Sequence, residues 1–154
     1  MASDAGAGLA GGCQCGAVRY RLEAEPTGAS ICHCRMCQKA GGAPFMAFGG
    51  VRMSEFVVTR GVISTFASSD IAERGFCARC GTPLTFRALG RDRISVTIGS
   101  LDSPSAVAPT SQLGAESKVG WLDEALASPV HKISDWMKID EAAVGNRQQP
   151  DRET

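Results

Sequence analysis

Seven cysteines fall in three tight groups, Cys13-x-Cys15, Cys32-His33-Cys34-x-x-Cys37 and Cys77-x-x-Cys80, and this spacing constrains the chain more than any other feature. Seven soft ligands divide most simply into one closed set of four and one open set of three, which is how a structural zinc differs from a reactive one. Two Zn²⁺ per chain, with different jobs, are therefore expected. Disulfides fit poorly. The count is odd, no apolar signal segment precedes Cys13, and a one-residue gap such as Cys13/Cys15 is an awkward place for a bridge. A thioredoxin-like pair at Cys77/Cys80 would need a long helix after it, and Gly81-Thr82-Pro83 breaks one at once. Iron–sulfur or copper would also accept thiolates, with zinc the expected ion.

Distance along the chain suggests how the ligands pair. Cys34-Arg-Met-Cys37 supplies two sulfurs from one turn and Cys32 lies two residues earlier, so a single loop offers three thiolates but no local fourth. Cys13/Cys15 and Cys77/Cys80 each offer two and each pair is followed by Gly, where a positive φ lets backbone N–H groups turn toward sulfur. Joining these two pairs closes a loop at an entropic cost of roughly 4 kcal/mol. A structural zinc is worth about 10–16 kcal/mol of apparent folding energy, so the metal prevails. An exchanged pairing, or a cluster with bridging thiolates, is the competing pattern.

Chemistry is expected at the three-thiolate set, Cys32, Cys34 and Cys37. Three thiolates on Zn²⁺ leave a net charge near −1, which makes the ion a feeble Lewis acid and hydrolysis of peptides or phosphates unfavourable. Such a centre is suited to exchanging a fourth soft ligand. A thiol bound there loses its proton and becomes a positioned sulfur nucleophile. The bland counterpart is a fourth position filled by water, His33 or His131, with nothing reacting.

The 154 residues, 44% of them hydrophobic, are enough to bury a core of their own. Sixteen basic residues balance sixteen acidic ones; seven thiolates and two zinc ions would bring the charge to about −3, which disfavours nucleic-acid binding. No apolar run approaches membrane-spanning length, and no Arg or Lys occurs in the first dozen residues, so a cytoplasmic chain is expected. Residues 1–10 read as a flexible arm, 11–140 as a single zinc-binding domain and 141–154 as a mobile tail. Within the domain, strands are expected at Ala17–Leu22, Pro44–Val51, Phe56–Thr59, Ile63–Phe66, Leu84–Arg87 and Ile94–Ile98, with helices at Trp121–Ala127 and around Cys34–Ala40. The fold class is thus mainly β: several short antiparallel strands packed in irregular sheets, with one or two short helices.

The segments Gly12-Cys13-Gln14-Cys15-Gly16-Ala17-Val18-Arg19-Tyr20, Cys32-His33-Cys34-Arg35-Met36-Cys37 and Arg74-Gly75-Phe76-Cys77-Ala78-Arg79-Cys80-Gly81-Thr82 resemble, in order and spacing, the successive zinc motifs of the glutathione-dependent formaldehyde-activating enzyme family, which also contains centromere protein V. Gly42-Ala43-Pro44-Phe45, the Phe56-to-Gly61 stretch, Gly99-Ser100-Leu101-Asp102 and Ser117-Lys118-x-x-Trp121 extend the likeness to roughly Leu9–Trp136. The resemblance implies structural zinc on Cys13, Cys15, Cys77 and Cys80 and catalytic zinc on Cys32, Cys34 and Cys37. It also implies a carbon–sulfur lyase of the S-(hydroxymethyl)glutathione synthase type, with glutathione or a similar small thiol as partner and formaldehyde as the carbonyl. The chain departs from the family pattern at Gln112-Leu113-Gly114-Ala115-Glu116, where members usually carry a His and an aromatic shortly before the Ser-Lys pair.

Other residues have weaker claims. A packed or solvent-facing role is expected for His33 ahead of proton transfer, because neighbouring side chains on an extended segment point opposite ways. His131 reads as structural, and Trp121 and Trp136 as core or lid aromatics. Arg35, Lys39 and Arg79 are candidates to offset thiolate charge or hold a carboxylate, though any surface loop carries such residues. Arg74 is expected to anchor the outer cysteine loop. The rival from another class is a non-catalytic zinc-stabilised protein-interaction module, in which both metals only hold loops.

Overall fold

A computed structural model describes residues 8–152 of the chain. Among them the chain forms β1 (Ala10–Gly12), β2 (Arg19–Leu22), β3 (Thr27–Cys32), α1 (Arg35–Gly41), β4 (Met46–Arg52), β5 (Phe56–Arg60), β6 (Ser64–Ser69), β7 (Ala72–Phe76), β8 (Pro83–Ala88), β9 (Arg93–Thr97), β10 (Ser111–Leu113), α2 (Leu122–Leu126) and α3 (Ile133–Met137). The fold is mainly β. Three strands form a small sheet in the order β1-β2-β5, and seven form a larger one in the order β10-β3-β4-β9-β8-β7-β6.

The core lies where the two sheets meet, because their apolar residues alternate onto facing surfaces. Tyr20, Leu22, Val51, Leu84, Val96 and Leu101 are all buried in one cluster that includes Cys13 and Cys77. A second, smaller cluster holds Cys37, Met46 and Phe48, with Cys32, Cys34 and Phe86 against it. The two outer cysteine pairs therefore share one hydrophobic centre, and the middle group has another.

Between the sheets runs a polar tie. Arg19, at 2% exposure, donates from both terminal nitrogens to the Asp102 carboxylate at 2.8 and 2.5 Å. The Tyr20 hydroxyl meets Ser100 Oγ at 2.7 Å, and Thr97 Oγ1 donates to Pro83 O at 2.7 Å. Ser100 and Asp102 thus hold β2 through side chains, while Asp102 N–H donates to Ala10 O and holds β1 through the backbone.

Several expectations need correction. The strand runs β1, β3, β7 and β10 and the helix α3 carry no clear apolar period and were not anticipated; β10 also pairs parallel to β3, unlike the antiparallel neighbours expected throughout. Within the stretch expected as an arm, 1–10, Ala10 pairs with Arg21 and Leu9 O accepts from Leu22 N–H, while residues 1–7 lie outside the described residues. Within the stretch expected as a mobile tail, 141–154, Gln149 N–H donates to Gln14 O at 2.7 Å, bringing it back to the first cysteine pair. Trp121 and Trp136 are 56% and 72% exposed, so neither is a core residue. No helix of the described residues is long and apolar enough to cross a membrane.

Candidate metal centres

Two turns of similar build carry the outer cysteines. Cys13 N–H donates to Val18 O and Gly16 N–H to Cys13 O; correspondingly, Cys77 N–H donates to Thr82 O and Gly81 N–H to Cys77 O. Gly16 and Gly81, at φ 75° and 77°, supply the left-handed step that closes each turn, a conformation most side chains resist. The four sulfurs of Cys13, Cys15, Cys77 and Cys80 lie within 4.8 Å of one another. Val18 N–H donates to Cys13 Sγ at 3.2 Å, and Thr82 Oγ1 sits 3.2 Å from Cys80 Sγ. Burial pushes the Cys13 thiol up to about 11. Cys80 is brought down to about 6 because hydrogen bonds, led by the Thr82 hydroxyl, outweigh an opposing burial effect.

The middle set is built differently. Cys32 ends β3, Cys34 caps α1 with its sulfur accepting from Cys37 N–H at 3.4 Å, and Cys37 sits in the first turn of that helix. Their three sulfurs also lie within 4.8 Å, and among the described residues no further His, Cys, Asp or Glu joins them. Cys32 and Cys34 are half-buried and Cys37 is buried. Burial drives the Cys37 thiol up to about 12, while Cys34 is lowered: burial opposes this, but donors headed by Cys37 N–H prevail.

Both sets fit zinc. Each gathers soft sulfur donors at one point, and each turns N–H groups onto sulfur, the support that a thiolate set needs when it gives up its protons to a dication. The seven cysteines lie within a longer stretch, residues 8–117, that matches the family described as "Glutathione-dependent formaldehyde-activating enzyme". The chain belongs to this family.

Relatives agree with that placement. An uncharacterized lyase of Schizosaccharomyces pombe is 38% identical over 76 residues, covering 49% of this chain and 55% of that protein. This chain therefore spans about half the length of that relative. A protein of Halomonas elongata, provisionally named a glutathione-dependent formaldehyde-activating enzyme, is 28% identical over 125 residues, covering 75% of this chain and 80% of that one. The crystal structure of a Rhodobacter sphaeroides protein is similar in fold, with a TM-score of 0.53 at 22% identity over 67% of this chain and 98% of the other.

The remaining candidates sort by contact in this formaldehyde-activating-enzyme family member. His33 is buried at 1% exposure, its Nε2 is 2.8 Å from Gln112 Oε1, and its ring meets Phe45 edge-on. It therefore packs behind the middle loop. His131 lies against Trp136, in the C-terminal segment. Arg35 donates to Gln38 Oε1 at 2.5 Å, and Lys39 and Arg79 are exposed. Arg74 does not anchor the outer loop as expected. Its Nη2 donates to Cys37 Sγ at 3.4 Å, and its guanidinium lies 5.1 Å over the Phe86 ring.

Two glutamines carry roles that sequence reasoning did not assign. Gln38 Nε2 donates to His33 O at 2.6 Å and to Ser117 O at 2.9 Å, tying the cysteine loop to the segment after β10. Gln112, at the point where the chain departs from the family pattern, braces His33 from β10 itself. The departure thus falls on the wall of the middle set. Only the pairing of an unusual polar residue with a family signature could have marked it.

Proposed function

We propose that this chain is a carbon–sulfur lyase-type enzyme acting on the adduct of a small thiol, of the glutathione kind, with a small aldehyde or a related sulfur compound. The observation that carries this reading is the asymmetry of the two sulfur sets: four converging at the outer turns, three at the middle loop. Family membership and the lyase name of one relative support the same reaction class. Zinc held by Cys32, Cys34 and Cys37 would supply a position at which an incoming thiol ionises.

The chain's own residues do the rest. Cys37 N–H and the Arg74 guanidinium donate to Cys34 and Cys37 sulfur, so two of the three thiolates share their negative charge with fixed donors. Gln38 and Gln112 hold the loop backbone and His33, which keeps the trio from collapsing or splaying. In the synthetic direction the substrate sulfur forms a bond to the carbonyl carbon. The C=O π pair moves to oxygen, and the proton lost by the thiol ends on that oxygen. In the lyase direction the hydroxyl proton returns and the carbon–sulfur bond breaks. Holding the two reactants together supplies much of the gain, because the addition needs no further activation of the aldehyde.

The test is a titration of the zinc-loaded protein with glutathione and other small thiols, followed by zinc-edge X-ray absorption. The expected result is a gain of sulfur in the shell averaged over both metals, abolished in Cys34→Ser. An unchanged spectrum with every thiol would overturn the reading.

A further inference from the structure

Beside the middle cysteines, between the end of α1 and strands β4, β7 and β8, lies a cavity of about 360 Å³. Its walls are largely apolar, from Ala40, Met46, Phe66, Phe76 and Pro83, with Thr85 adding a hydroxyl. Arg74 is the one charged residue lining it among the described residues.

Arg74 connects this cavity to the sulfur set. It is more than nine-tenths buried, donates to Cys37 Sγ from Nη2, and brings Nη1 within 4.0 Å of Met46 Sδ. Its Nε–H is buried with no acceptor among the described residues. That nitrogen has almost no accessible surface and lies out of a ligand's reach, so it is as the one cation on an otherwise apolar wall that the guanidinium would meet an accepting oxygen of a ligand. Ala40, three residues after Cys37 on α1, forms part of the same wall. A ligand seated here therefore meets a cation that itself holds Cys37 sulfur, one side chain away from the middle set.

We infer that this cavity receives the body of the substrate, and that the preferred thiol is short, unbranched and largely apolar, with one accepting oxygen, such as a carboxylate, placed against Arg74. This rests on the thiol reading above and narrows it. Glutathione carries two carboxylates, an ammonium and two peptide arms around its thiol, whereas the cavity presents one cation and apolar walls. Charged groups without partners are strongly disfavoured on such walls.

Calorimetric titration of the zinc-loaded protein with methanethiol, 4-mercaptobutyrate and glutathione tests this. Methanethiol is a thiol with almost no body. The added methylenes of 4-mercaptobutyrate should tighten binding about tenfold over methanethiol, the gain expected from burying about two of them. Glutathione should bind more weakly than 4-mercaptobutyrate. Ala40→Leu, at an exposed helical position that tolerates Leu, narrows the cavity, and the ratio between 4-mercaptobutyrate and methanethiol should collapse toward one. If methanethiol gives no heat and no binding, the thiol reading falls and the cavity proposal falls with it. If methanethiol binds but 4-mercaptobutyrate binds no better, if glutathione matches it, or if Ala40→Leu leaves the ratio intact, the cavity proposal alone is overturned.

Discussion

Cys77→Ser is expected to unfold the chain, whereas Cys34→Ser should leave a folded protein that has lost the metal of its middle set. Cys77 is 1% exposed, belongs to the main core cluster, and stands 3.9 Å from Cys15 Sγ across 62 residues of sequence. Its sulfur is one of four that hold the turn after β1 to the turn after β7. A structural zinc contributes about 10–16 kcal/mol of apparent folding energy, comparable with or above the about 5–15 kcal/mol net stability of a typical domain. Losing one ligand of four should therefore remove most of the margin. Cys34 is half-buried and caps a seven-residue helix, and Ser, itself a preferred cap, can still accept from Cys37 N–H. Its cost to the helix should therefore be small, below the roughly 1 kcal/mol of losing a cap altogether. Thermal melts read with metal content decide the matter: a mild chelator should take one zinc from the wild type while the fold persists, and Cys34→Ser should melt near wild type with one zinc bound. Equal retention of both metals, or closely similar melting of the two variants, would favour the rival in which both zincs only hold loops.

Much of this arrangement is legible in sequence because metal ligation is local. The pairs Cys13/Cys15 and Cys77/Cys80 fix their turns through spacing and a following Gly, with little help from the rest of the fold, and the observed φ values match that need. Strands such as β4, β8 and β9 are likewise visible, since Phe48, Val51, Leu84, Ile94 and Val96 fill the core at regular intervals. β1 is Ala-Gly-Gly and β10 is Ser-Gln-Leu, so neither carries a burial pattern. Their pairing is dictated by partners far away in sequence. Arg74 shows a different limit. Proximity to Cys77 suggested the outer turn, but on an extended chain residues three apart face opposite sides, which turns Arg74 toward Cys37, Met46 and Phe86. Strand alternation was the available signal. Gln38 had none, because a glutamine that ties backbone carbonyls looks like any surface glutamine until the loops around it are placed, and Gln112 was marked only by its place in the departure from the family pattern.

Asp102→Ala should cost about 3–5 kcal/mol, the range for removing one partner from a buried ion pair. Asp102 accepts two bonds from Arg19, and both side chains are well withdrawn from water, at 14% and 2% exposure. Truncation takes the carboxylate away while the Arg19 charge stays inside the core. For a chain of this size that corresponds to a fall in melting temperature of about 10 °C. Asp102→Asn keeps one acceptor oxygen and should fall between, since the amide can satisfy one N–H but cannot balance the charge. The loss should also reach the outer metal set. Arg19 follows Val18, whose N–H donates to Cys13 sulfur, so slackening β2 weakens the turn that presents that ligand. Chelator competition should accordingly remove the outer zinc from Asp102→Ala at concentrations that spare it in wild type. If Asp102→Ala instead melts like wild type and holds both metals as tightly, the tie between Gly99-Ser100-Leu101-Asp102 and the first cysteine turn has no energetic weight, and that stretch needs another explanation.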